Sequence, residues 1–284
     1  MSPKACYTLL LTVTSALMVI GCGTAVPPPA NPEQQPQKAA LIRVSGSGTV
    51  LPLVAKLADV FTKRHPEVRF EFDAGTNTSG GVKGLSQDVF QIAVANRALS
   101  EAENALGAVY RPFGRDALVF AAHEGAGVAA VTSEGVRAVY AGDSTTWSQL
   151  GGVPRPIVVL DRDEEETARK FGLVPFMAEQ SIKAKTIVLS RAKEMLDGLS
   201  STADSLGYTT LSQLRVAQLQ GVKIMRLDGV QPSPSTVTNG SYPLHLTLGV
   251  VHKPEPRPQV ASFIDFIFGK DGRAVLEAYD VVPN

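Results

Sequence analysis

Short apolar segments alternate along this chain with Gly/Ser/Thr-rich turns and helix-period runs, and that rhythm limits the fold more than any other feature. Leu41–Val44 reads as a strand, Ser45-Gly46-Ser47-Gly48-Thr49 as a turn, and residues 50–63 as a helix with apolar side chains at 50, 53, 54, 57, 60 and 61. The pattern continues with a strand at 68–72, a Gly-rich loop at 75–81, a short helix at 82–87 and a strand at 92–95. Ser100 followed by Glu103 has the spacing of a capping box and opens a helix over 100–106. Strands are expected at 108–112, 117–122, 157–160, 186–189, 222–227 and 246–252, with helices at 132–140 (Thr132 as N-cap), 163–171, 191–199 and within 258–278. Such an order predicts an α/β fold with parallel-rich sheets. A chain of 284 residues is long enough for one large domain or two ordinary ones.

The first 40 residues carry a different signal. Lys4 precedes a mostly apolar run from Tyr7 to Ile20, too short for the ~20 residues a spanning helix needs but suited to the core of a signal peptide. The run ends Val19-Ile20-Gly21-Cys22, which resembles a bacterial lipobox; residues 1–21 are expected to be a signal peptide and Cys22 the lipidated residue. Residues 23–40 hold five prolines and no large apolar residue beyond Val26, so 22–40 reads as an acylated cysteine on a semi-rigid tether. The expected location is the cell envelope, on a membrane and facing the periplasm or exterior.

Charge and cysteine content exclude several functions. Lys plus Arg and Asp plus Glu are 27 each, and this balance argues against a nucleic-acid partner. Cys6 and Cys22 are the only cysteines, so nothing beyond residue 22 can form an internal disulfide or a thiolate metal site. His65, His123, His245 and His252 lack ligand spacing, and no metal or cofactor is expected. Ser45–Leu51 lacks the third glycine of a dinucleotide fingerprint, and GTNTSGGVK lacks the Gly-Lys-Ser/Thr of a P-loop. Ser190-Arg-Ala-Lys193 fits S-x-x-K without its companion motifs and reads as coincidence. Trp147 has no aromatic neighbours in sequence and is expected to pack locally. No clear nucleophile–base pair is visible, so no catalytic residue is assigned.

Ser45–Thr49 and Thr76–Gly81 each stand between a strand and a helix. Glycines there let a ligand approach the backbone, hydroxyls can donate hydrogen bonds, and free N–H groups at a helix start attract anions. The alternative reading is an ordinary turn and cap.

Together, Ser-Gly-Ser-Gly-Thr, GTNTSGGVKGL, AVANRALS, VRAVYAGDSTTWSQLGG, DSLGYTTL and the C-terminal LDGVQPSPSTVTNGSYPLHLTLGVVHK and FIDFIFGKDGRAVLEAYDVVPN resemble the periplasmic phosphate-binding proteins of phosphate ABC importers, in order, over 41–284. The resemblance implies a two-lobed periplasmic-binding-protein fold of type II with two crossing strands, near Arg115–Val119 and Tyr242–Leu246. One lobe would be 41–116 with 241–284, the other 117–240. It further implies ligand contacts from Ser47, Gly48 and Thr49, from Thr78, Ser79 and Gly80, and from Asn96, where many members have Asp or Ser, with Arg97 following. Arg162 and Thr167 would complete the site. The implied partners are a small oxyanion, most simply phosphate, and a membrane ABC permease, with the protein a monomer. The other functions considered are an offshoot with a lost or altered ligand, serving as sensor or scaffold, and a phosphatase-like enzyme.

One segment departs from the family pattern. Where members carry an Arg and then Gly-Ser-Gly-Thr, this chain reads Leu160-Asp-Arg-Asp-Glu-Glu-Glu-Thr167, so Glu165 and Glu166 replace Ser and Gly, and Arg162 stands one residue closer to Thr167. The carboxylates would repel an anion if they face the cleft, or favour the helix dipole if they face solvent. A cation site is the third reading, although a contiguous run spreads over all faces of a helix.

Overall fold

The structure is a computed structural model that describes residues 39–284. The expected signal peptide, Cys22 and the tether through residue 38 lie outside the described residues. In chain order the strands are β1 (Ala40–Gly46), β2 (Val68–Phe72), β3 (Ile92–Ala95), β4 (Val109–His123), β5 (Ala130–Val131), β6 (Val158–Arg162), β7 (Thr186–Leu189), β8 (Ser205–Thr210), β9 (Val222–Ile224), β10 (Arg226–Leu227), β11 (His245–His252) and β12 (Val282–Pro283). The helices are α1 (Leu51–Thr62), α2 (Asn77–Ser86), α3 (Glu101–Asn104), α4 (Ser133–Ala141), α5 (Val174–Phe176), α6 (Ala192–Ser201), α7 (Leu211–Ala217), α8 (Pro234–Thr238), α9 (Pro258–Phe268) and α10 (Lys270–Ala278). Among the described residues no helix is long and apolar enough to cross a membrane.

The main sheet has the order β2-β1-β3-β11-β4-β8-β6-β7, with β12 and β9 also on β4; β5 and β10 pair separately. β1 runs parallel to β2 and β3, and β6 parallel to β7 and β8, whereas β11 is antiparallel to both of its neighbours. This gives two α/β halves sharing one strand. β4 pairs with β11 along Val109–Ala117 and with β8 along Leu118–Ala122, so it passes from one half into the other. The chain returns through Tyr242–Leu244: the Leu118 N–H donates to the Leu244 carbonyl (3.0 Å) and the Tyr242 hydroxyl donates to the Leu118 carbonyl (2.8 Å).

The expected break at 113–116 is absent, and β4 is continuous. Gly114 accommodates Val281 and Val282 where any side chain would collide, and Asp116 is satisfied inside the sheet by the Ser212 backbone N–H (3.1 Å) and hydroxyl (2.5 Å). Burial pushes the Asp116 carboxyl up to about 6, against the lowering effect of its hydrogen bonds from Ser212 and Thr210. A core spans both halves, with the Phe61, Phe70, Phe263 and Phe266 rings stacked or edge-on beside α1. Trp147 is fully buried in it and its indole N–H donates to the distant Asp204 carbonyl (3.0 Å), so it does more than pack locally.

Candidate functional site

β1 ends at Gly46, whose φ of +126° only glycine adopts readily. The backbone N–H of Ser47 donates to the Val94 carbonyl on β3 (2.9 Å), and the Ser47 carbonyl in turn accepts the N–H groups of Val50 and Leu51 (both 3.0 Å) that start α1. The helix has Val at its N-cap and therefore no side-chain cap. In α2 the first turn is capped from within: Asn77 Oδ1 accepts the Gly80 N–H (2.9 Å), while the N-cap residue Thr76 gives no cap bond. The Thr76 hydroxyl lies 3.1 Å from that of Ser45 instead.

Packing brings these two helix starts together. A Cβ on Gly75 would lie 2.8 Å from the Gly48 Cα, and one on Gly81 would lie 2.6 Å from the Gly46 Cα. This explains why α2 begins at Asn77, five residues before the expected start. Gly80 and Gly81 lower helix propensity, yet at Gly81 only a bare backbone fits against β1. Two helix N-termini brought this close form a locus of positive potential, which attracts anions.

The expected contact residues of this half divide into two groups. Ser47, Thr49, Thr78 and Asn96 are buried. The Thr78 hydroxyl donates to Asn96 Oδ1 (3.3 Å), which aims the Asn96 amide so that its buried Nδ2 has no protein partner. Ser79 and Arg97 are exposed or half-buried and join a network with Glu103. Arg97 forks onto both carboxylate oxygens of Glu103 (2.7 and 2.8 Å), and the Ser79 hydroxyl donates to the same carboxylate (2.7 Å) and accepts from Arg97 (3.0 Å). The Arg97 guanidinium holds the Glu103 carboxyl down at about 2, helped by the Ser100 N–H of the capping box. The Gly80 N–H donates to Asn77 Oδ1 (2.9 Å) and is likewise engaged.

In the other half, β6 extends through Arg162, and helical turns begin only at Thr167 and run to Phe176. The expected helix start at 163 is thus four residues early, because the strand continues through Asp161 and Arg162, both buried, and the following residues form a turn. Asp161 accepts hydrogen bonds from Tyr208 (2.7 Å) and Arg169 (2.9 Å). Arg162 is 3% exposed, its Nε donates to the Leu189 carbonyl (3.0 Å), and its Nη2 lies 3.1 Å from Glu166 Oε2. Thr167 is buried beside it. Glu165 points the other way, to Lys170 (2.9 Å), with an exposed side chain. The acidic run therefore fans out, and among the described residues no three of His, Cys, Asp and Glu converge as metal ligands would.

A cavity of about 490 Å³ lies between the halves. Gly48, Leu51, Phe72, Asp73, Gly75 and Asn77 form one wall, and Glu166, Ser190, Arg191, Ala192 and Lys193 the other. Ser190–Lys193, read as coincidence from sequence, thus lines the cleft at the start of α6. Gln213 is also absent from the expectations. Its amide lies 3.5 Å from the Gly48 carbonyl and accepts at Oε1 from the Thr209 hydroxyl (2.7 Å). The sequence held no local sign of it, because β8 is buried along its whole length and shows no alternation, and neither β8 nor α7 was expected.

Comparisons with known proteins agree with this architecture. The phosphate-binding protein PstS of Borreliella burgdorferi is 24% identical over 84% of this chain and 88% of its own length. PstS of Bacillus subtilis is 23% identical over 81% and 76%. A Clostridium perfringens structure, described as a phosphate ABC transporter substrate-binding protein with bound phosphate, superposes with a TM-score of 0.74 at 25% identity, covering 86% of this chain and 99% of that one. A family model described as a PBP superfamily domain matches residues 31–271, and the chain therefore belongs to the PBP superfamily.

Proposed function

We propose that this protein captures inorganic phosphate in the cleft between its halves and delivers it to a membrane ABC importer, without chemical change to the ligand. The observation that carries this reading is the convergence of two helix starts, α1 and α2, with a buried Asn96 amide whose Nδ2 has no protein partner. A tetrahedral oxyanion accepts several hydrogen bonds at once, and neutral donors at helix ends supply them without a fixed counter-charge. The names of the Borreliella and Bacillus relatives, and the phosphate in the Clostridium structure, support the same ligand.

In this reading Ser47, Gly48, Thr49, Thr78, Ser79 (through its backbone), Asn96, Arg162 and Thr167 surround the anion. Arg97 and Gly80 shape the loop through Glu103 and Asn77. The lobes are 41–116 with 241–284, and 117–240, and they close about β4 and the Tyr242–Leu246 return. Cys22 carries the lipid that keeps the protein at the envelope membrane, and the chain between it and β1 is the tether.

A second reading, an altered oxyanion ligand, is favoured by one observation: the Glu166 carboxylate on Arg162. Calorimetry with phosphate, sulfate and a panel of other oxyanions separates the two. Phosphate should bind one-to-one and most tightly; tighter binding of another anion would select the second reading.

A further inference from the structure

Glu166 lies against the buried Nη2 edge of the Arg162 guanidinium. The guanidinium is buried, and its Nε is fixed by the Leu189 carbonyl, so its direction is set from behind. Its buried Nη2 lies 3.1 Å from Glu166 Oε2, yet it makes no properly directed hydrogen bond in the protein. The pair is therefore close but poorly directed, short of the bidentate guanidinium–carboxylate arrangement that gives such pairs their strength. Burial raises the Glu166 carboxyl, opposed chiefly by Arg162, so the ionised form is costly where it sits. The Glu166 backbone is anchored by its N–H to the Asp163 carbonyl (2.9 Å), whereas its side chain borders the cleft cavity. Arg191 and Lys193 border the same cavity; Lys193 is already paired with Asp197 (2.6 Å).

We infer that Glu166 is a built-in competitor for Arg162, exchanged for the incoming oxyanion and received on displacement by Arg191. This rests on the phosphate reading above and adds a determinant of affinity that most of the cleft's neutral donors do not supply. The ligand wins the exchange because it can meet Arg162 in plane while also engaging the helix starts opposite. Affinity is lowered by the free energy of the pair it must break, so a chain with Glu at this position binds more weakly than one with a neutral residue. Glu165, turned out to Lys170, takes no part.

The test is phosphate calorimetry on the full chain and four variants: Glu166→Gln, Arg191→Gln, the two combined, and Glu165→Gln. Glu166→Gln should bind at least tenfold tighter than the parent, equivalent to about 1.4 kcal/mol. Glu165→Gln should stay within twofold. Arg191→Gln should weaken binding at least threefold in the parent and less than twofold in the Glu166→Gln background, a non-additivity that a purely local effect would not give. Should Glu166→Gln fail to fold, Glu166→Asp, which withdraws the carboxylate from Arg162, should give an intermediate tightening. Equal or weaker binding by the folded Glu166 variants, with phosphate still bound by the parent, overturns the competitor and leaves the phosphate reading intact. Equal losses from Arg191→Gln in both backgrounds overturn its role as receiver. Absence of phosphate binding in every protein overturns the phosphate reading and the exchange with it.

Discussion

Gly75 packs against Gly48 so closely that a Cβ on Gly75 would stand 2.8 Å from the Gly48 Cα and 2.9 Å from its nitrogen. The neighbour is backbone at both points, so no side chain can rotate away. Gly75→Ala should push the start of α2 off the Ser47–Thr49 turn, lowering stability by about 1–3 kcal/mol and phosphate affinity by roughly tenfold or more. Urea unfolding and calorimetry read the two effects. An alanine variant that keeps both parent values would show that the loops need not touch.

In the proposed site Asn96 is the buried donor on which the neutral cradle depends. Its Oδ1 accepts from Thr78, and its buried Nδ2 has no protein partner. Asn96→Ala removes that donor and should weaken phosphate by about 1–3 kcal/mol, the usual cost of losing one partner of a buried hydrogen bond. Unfolding in the absence of phosphate should change less than unfolding in its presence. Equal changes in both would assign Asn96 to structure alone.

Asp116 gives the shared strand a pH signature. Burial raises its carboxyl from 3.8 to about 6 in the folded chain, so the folded state holds the proton more tightly than the unfolded state. This stabilisation is full below about pH 4 and is lost as pH rises through 6, a change of about 2 kcal/mol between roughly pH 4.5 and 7. Glu103 works in the opposite sense but only at lower pH, since its carboxyl lies near 2 when folded. Asp116→Asn should therefore gain on the parent by about 2 kcal/mol as pH is raised across that interval. A difference between the two that does not vary with pH would contradict the raised carboxyl.

Cys22 tests the proposed anchor independently of the cleft. Cys22→Ser should release the protein from the membrane fraction or leave it unprocessed, with phosphate affinity unchanged in the soluble form. Membrane fractionation matching the parent would remove the lipid from the account.

How much of this was legible in the sequence depended on the range of the interactions. Local signals read true: Ser100 with Glu103 does form a capping box, and Thr132 caps α4 by accepting from the Gly135 N–H. Signals that depend on distant partners did not. Gly114 and Asp116 look like strand breakers until β12 and α7 are in place, and Gly80-Gly81 looks like loop until β1 lies beneath it. The Glu103 carboxylate that engages both Arg97 and Ser79 is equally invisible in the motif that holds them. Glu165 and Glu166 are equivalent in sequence, and only the turn after β6 sends one to Lys170 and the other to Arg162.

The central claim is that the cleft between the halves takes up phosphate, and titration of the purified protein with phosphate beside sulfate, with Asn96→Ala run in parallel, tests it most directly. The account predicts saturable one-to-one binding of phosphate, weaker sulfate, and a clear loss of phosphate affinity in the folded Asn96→Ala protein. No heat with phosphate, or phosphate binding that is indifferent to Asn96, would contradict it.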